Sequence, residues 1–139
     1  MGFYKPKSGR VSIDAVAVTD YDLPAVRRRI GYVTQEPFLF SGTLSENVTL
    51  GDPKISEADV KRAVESCGLL RAAARFPEGL NTKLVERGAT YSAGERQLVA
   101  FARCLAFRPD ILLLDEATAA IDPSTERWLE RAFFAAAMQ

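Results

Sequence analysis

The sequence predicts an α/β fold with an all-helical segment set into it, and three observations carry that prediction. Ile111-Leu112-Leu113-Leu114 is a short apolar run that ends in two adjacent carboxylates, Asp115 and Glu116, the pattern of a strand stopping at a sheet rim. Ile30-Gly31-Tyr32-Val33-Thr34 is a second β-rich run. Between the two lie three capping-box-like starts, Thr43-x-x-Glu46, Ser56-x-x-Asp59 and Ser92-x-x-Glu95, each opening a helical stretch.

Taken in order, residues Gly9 to Asp14 alternate like an edge strand. Tyr21 to Arg28 reads as a short helix with Pro24 in its first turn, where a missing N–H removes no helical bond. The Ile30 to Thr34 strand follows. Of the next two helices, the one opened by Ser56 carries Val60, Ala63, Val64 and Cys67 on one face. Leu69 to Phe76 is a further short helix, broken by Pro77-Glu78-Gly79. The helix that starts at Ser92 turns Leu98, Val99, Ala102 and Leu105 toward a core, and Pro109-Asp110 ends it before the Ile111 strand. Asp122-Pro123 opens a last helix with Trp128, Leu129, Ala132 and Phe133 on one side. One domain is expected over residues 1–139, with about residues 44–106 as a helical subdomain.

Composition narrows the functional classes. The chain has 139 residues, 47% of them hydrophobic and 26% charged, which is ordinary for one globular domain. Its 18 basic and 18 acidic residues cancel, so overall basicity does not point to a nucleic-acid partner. No apolar run is long enough to span a bilayer, and Gly2-Phe3-Tyr4-Lys5-Pro6 lacks the apolar stretch of a secretory signal, so the chain reads as cytoplasmic. Cys67 and Cys104 fall in apolar helical patterns and are expected as buried free thiols. There is no histidine, which removes histidine base or metal chemistry from this chain.

A strand ending in Asp115-Glu116 suits phosphoryl chemistry, because it pins two carboxylates at the rim of a crevice, one for a metal and one for the attacking water. A strand merely followed by acidic residues would look the same. Ser92-Ala93-Gly94 sits at a helix N-terminus, where amides and the helix dipole attract phosphate and small residues let it approach. A capping box alone explains Ser92 and Glu95. It does not explain Gly94, since glycine costs about 1 kcal/mol inside a helix. Gln35 directly follows a strand, and most such glutamines are simply solvated.

Together these motifs resemble the ATPase domain of an ABC transporter of the exporter type. Ile111 to Glu116 resembles its Walker B strand. Tyr91-Ser92-Ala93-Gly94-Glu95 resembles the signature motif, with Tyr91 in place of leucine, Ala93 of the first glycine and Glu95 of glutamine. Gln35 resembles the Q-loop, in a match that continues from Glu36-Pro37-Phe38-Leu39-Phe40 through Asn47-Val48. Ala119-Ala120-Ile121-Asp122 resembles the D-loop, and Asp122 also reads as a helix N-cap. Thr82-Lys83-Leu84-Val85-Glu86-Arg87-Gly88 resembles the exporter X-loop, with Val85 where glycine is usual; otherwise it is a charged surface turn. Phe38 and Phe40 read equally as core or as the lining of a groove for a membrane-domain coupling helix.

The resemblance implies a partial P-loop NTPase fold. No G-x-x-x-x-G-K-[ST] occurs, and Pro6 before Lys7-Ser8 breaks the only near match. The expected fragment begins after the Walker A helix and ends before the strand that carries the switch histidine, with a sheet edge left bare that invites association. By the same resemblance Glu116 is the general base, Asp115 and Gln35 serve Mg²⁺, and Ser92, Ala93 and Gly94 contact ATP held by an opposite subunit. Asp122 communicates across that dimer. The implied partners are a second ABC ATPase domain, identical or different, and the transmembrane domain of an exporter, at the cytoplasmic face of the membrane and without nucleic acid. Binding of ATP and Mg²⁺ by this chain alone is expected to be weak or absent. A non-catalytic interaction module derived from such an ATPase is the alternative; a DNA-repair relative is disfavoured by the X-loop match and the neutral charge.

Overall fold

The computed structural model describes residues 2–69, 76–84, 91–116, 121–123, 126–127 and 129–130. The interior of the Leu69 to Phe76 helix, Val85 to Gly88, Ala119, Ala120, Trp128, Ala132 and Phe133 lie outside the described residues. The strands are β1 (Ser12–Ile13), β2 (Val16–Ala17), β3 (Ile30–Val33), β4 (Gly42–Thr43), β5 (Lys83–Leu84) and β6 (Ile111–Leu114). The α-helices are α1 (Leu23–Arg28), α2 (Leu44–Thr49), α3 (Glu57–Ser66) and α4 (Ala93–Ala106). The description is therefore α/β; three of the four described α-helices lie between β3 and β6, but that segment is not all-helical as expected, because β4 and β5 pair within it.

All three capping boxes form, which is why the helices start where they do. The hydroxyls of Thr43, Ser56 and Ser92 accept from the amides of Glu46, Asp59 and Glu95 at 3.1, 3.1 and 3.2 Å. The carboxylates return to the cap amides at 2.6, 3.2 and 2.7 Å. Each such cap contributes on the order of 1 kcal/mol. The Thr43 contacts hold the Glu46 carboxyl below the usual carboxylate range. Gly42 just ahead has a φ of 146°, and a Cβ there would lie 2.6 Å from Glu46 Oε2, so the cap needs glycine.

The apolar faces of these helices meet in one core. Val60, Ala63, Val64 and Cys67 project from the α3 segment, Leu44 and Val48 from α2, and Val99, Phe101, Ala102 and Leu105 from α4, joined by Leu39, Leu84 and Leu129. Leu98 is only partly buried at its margin. Burial pushes the Cys67 and Cys104 thiols up to about 12, as suits inert packing groups.

Three separate strand pairs are described. β3 and β6 are parallel, with Ile30 opposite Ile111 and Val33 opposite Leu114. One face of β3, Gly31 and Val33, is buried. A Cβ on Gly31 would lie 2.2 Å from Cys104 Sγ and 2.9 Å from Pro109 Cγ, so the strand meets α4 at a point where only glycine fits. The other face is open: Tyr32, Leu113 and Leu114 are 48%, 40% and 48% exposed. β6 is thus less buried than its unbroken apolar run implies.

One expectation is corrected and one alternative excluded. The Gly9 to Asp14 strand shrinks to β1, which forms an antiparallel pair with β2 across Asp14 and Ala15, both at positive φ. Thr82 to Leu84 is no surface turn: β5 pairs antiparallel with β4, Thr82 accepts from the Leu44 amide at 2.9 Å, and Leu84 is fully buried.

Candidate functional site

The parallel register of β3 and β6 brings Gln35, Asp115 and Glu116 to the same sheet end. The Asp115 amide donates to the Val33 carbonyl at 3.0 Å, extending the ladder one residue past β6 and fixing the backbone under its carboxylate. Asp115 Oδ2 accepts from the Tyr32 hydroxyl at 3.0 Å. That hydrogen bond and the adjacent negative charge raise the Tyr32 phenol above its usual range.

Glu116 then leaves the strand direction with a φ of 46°, left-handed backbone in a residue other than glycine. Such a conformation costs about 1–2 kcal/mol and is found preferentially where a side chain must be aimed. Here it is aimed at Gln35, whose Nε2 donates to Glu116 Oε2 at 2.9 Å. The carboxyl ends of adjacent parallel strands are where open α/β sheets bind ligands.

Among the described residues no three acidic, cysteine or histidine side chains form a metal cluster. Two carboxylates and one amide oxygen still suit Mg²⁺, a hard cation that takes one or two carboxylates and leaves its other positions to water and substrate phosphate. The donor set fits a metal brought with a nucleotide better than a resident one.

A second group forms at the start of α4. Ser92, Ala93, Gly94 and Glu95 line an open depression with Leu98, Ile121 and Asp122. Gly94 is the second residue of the helix rather than interior to it, so its helix penalty is smaller than the sequence implies. The Ala93 and Gly94 amides have no intrahelical acceptor and belong to the positive end of the helix dipole. The Ser92 hydroxyl is already an acceptor in the cap, leaving its own proton to donate. Tyr91, which stands where the signature has leucine, stacks on buried Phe76 with ring centroids 5.3 Å apart. The Asp122 carbonyl accepts from the Glu126 amide at 3.0 Å, the first helical bond after Pro123.

One residue links the groups, and sequence reasoning passed it over. Gln97, 1% exposed, donates from Nε2 to the Thr34 carbonyl at 3.0 Å. Its signal was a polar residue on the buried stripe of α4, four before Phe101 and eight before Leu105. Phe38 and Phe40 are not core: they are 48% and 52% exposed and meet edge to face at 4.9 Å. Asn47 pins their loop, accepting from the Phe40 amide and donating to the Phe40 carbonyl, each at 2.8 Å. Arg103 donates to the Phe38 carbonyl at 3.1 Å.

A family model described as ABC transporter matches residues 1–119. The probable multidrug resistance ABC transporter ATP-binding/permease protein YheH of Bacillus subtilis is 43% identical over 130 residues, 94% of this chain and 19% of that protein. The ABC multidrug transporter mdr2 of Aspergillus fumigatus is 41% identical over 133 residues, 96% of this chain and 17% of that protein. A solved structure of a bacterial Atm1-family ABC exporter with ATP bound superposes with a TM-score of 0.87 at 36% identity, over 98% of this chain and 24% of that one. The chain thus spans about a fifth of the length of these curated relatives. The parallel strand pair ending in Gln35 and Asp115-Glu116, the capped helix behind Ser92, and matches across most of the chain lead to one assignment: this chain belongs to the ABC transporter family and carries part of its P-loop NTPase fold.

Proposed function

We propose that this chain is the portion of an ABC exporter's nucleotide-binding domain from Q-loop to D-loop, serving ATP hydrolysis that drives transport. The observation that carries the reading is the Gln35 to Glu116 hydrogen bond beside Asp115 at the end of two parallel strands. Glu116 is the general base: its carboxylate takes the proton of the attacking water, a role worth about 10²- to 10⁴-fold in rate. Asp115 and the amide oxygen of Gln35 hold Mg²⁺, directly or through water. The bound metal supplies charge neutralisation on the transferring phosphoryl group.

The same reading gives residues 44–106 the role of helical subdomain. Ser92, Ala93 and Gly94 contact ATP held by a second ABC ATPase domain, and Asp122, in the same depression, senses that partner. The exposed Phe38–Phe40 pair faces the transmembrane domain on the cytoplasmic side, consistent with apolar side chains held outward by a pinned loop. No net basicity supports a nucleic-acid partner.

The test is nuclear magnetic resonance of the chain with millimolar Mn-ATP in place of Mg-ATP. Paramagnetic broadening centred on Gln35, Asp115 and Glu116 supports the assignment. Broadening that starts at the acidic first turn of α3 and spares these residues removes it.

A further inference from the structure

Gln97 is buried as deeply as the core leucines, yet only half of its side chain is satisfied. Nε2 donates to the carbonyl of Thr34, the residue immediately before Gln35. A carbonyl accepts and cannot donate, so this bond determines which end of the amide is which. The other end, Oε1, is buried without a hydrogen-bond partner among the described residues. Packing alone would be served better by leucine or methionine, since a buried polar oxygen without a donor is destabilising.

The bond's position explains what it does. Thr34 Oγ1 donates to the Glu36 carbonyl at 3.1 Å, so the chain is tied on both sides of Gln35. Only the Gln97 tie reaches another element, the helix that starts at Ser92. Gln97 lies three residues after Gly94, or about 4.5 Å along the axis of a continuous helix. Any displacement of the first turn of α4 is therefore carried to the Thr34 carbonyl.

We propose that Gln97 is a positioning residue that makes the Gln35 to Glu116 bond depend on where the first turn of α4 sits. It touches neither nucleotide nor metal. Its meaning for catalysis rests on the reading of Gln35 and Glu116 given above, but the linkage is measurable without nucleotide, so the two can fail separately.

The experiment uses the full 139-residue chain with isotope-labelled glutamine and compares it with Gln97→Met, which keeps length and volume and removes both polar atoms. In a folded variant, with the core methyl signals of Val99 and Leu105 in place, solvent exchange of the Gln35 side-chain amide protons is expected to rise about tenfold, the loss of one net hydrogen bond. Those signals should also move toward the position of a solvated amide. Unchanged Gln35 signals in a folded Gln97→Met chain overturn the proposal. Should that variant not fold, the unaltered chain decides by stepwise warming. The Gln97 side-chain amide must lose its protection at the same temperature at which the exposed Gln35 side-chain signals move to the solvated position, below global unfolding; separate onsets overturn the linkage.

Discussion

Along α4, Val99, Phe101, Ala102 and Leu105 are sealed against α2 and α3, whereas the β3–β6 pair that ends in the site leaves Tyr32, Leu113 and Leu114 open. The helices are held by apolar burial. The strands reach that core only through Gly31, Val33 and part of Leu112, and are otherwise held by a four-residue ladder and a handful of side-chain bonds. Stability and chemistry are therefore carried by different parts of the chain. The groups assigned to phosphoryl transfer sit at the end of the half-open β3–β6 pair, where substitution disturbs function more than folding.

Truncating one large side chain in each region should separate them most clearly. Phe101→Ala should cost about 3–5 kcal/mol in urea unfolding, because the ring is fully buried and the cavity cannot close. Leu113→Ala should cost about 1 kcal/mol, since its side chain is already partly in water. Equal costs would mean that the sheet is as much a core as the helices.

The seam between the regions gives the next effect. Gly31→Ala should destabilise by about 1–3 kcal/mol through overpacking against Cys104 and Pro109. Adding Cys104→Ala should return part of that loss, because Sγ is the nearest atom. Additive costs in the double variant would place the strain elsewhere.

The smallest effect is electrostatic and belongs to the helical region. The Ser56 hydroxyl, then Arg62 and the Ser56 amide, hold the Asp59 carboxyl well below the usual range. Its folded pKa lies under the unfolded value of about 3.9, so its stabilisation is complete above that pH and disappears as pH falls through the folded value. Thermal unfolding of the chain and of Asp59→Asn should differ at pH 7, with a gap that begins to narrow below about pH 4 and closes only as pH falls further, toward the folded value. A gap that persists unchanged into acid would remove Asp59 as its source.

Much of the helical region was legible because its signals are local. Thr43, Ser56 and Ser92 announce their caps three residues ahead, and the Val60, Ala63, Val64, Cys67 stripe needs only helical periodicity. The two long strands were legible from composition, and their ends supplied Gln35, Asp115 and Glu116. Pairings between distant residues were not. β2 and β5 are two residues each, too short to show alternation, and β5 exists because Gly42 and Thr43 meet it. The Tyr32 to Asp115 bond spans 83 positions and the Gln97 to Thr34 bond 63, and both follow from a register that no local pattern encodes.

Glu116 is assigned as the base beside a metal-bearing Asp115. ATP turnover tests it most directly, comparing Glu116→Gln with the unaltered sequence in a longer chain that supplies a phosphate-binding loop ahead of residue 1. Mg-ATP should still bind to the Glu116→Gln chain while turnover falls about 10²- to 10⁴-fold. Turnover that survives Glu116→Gln unchanged would contradict it.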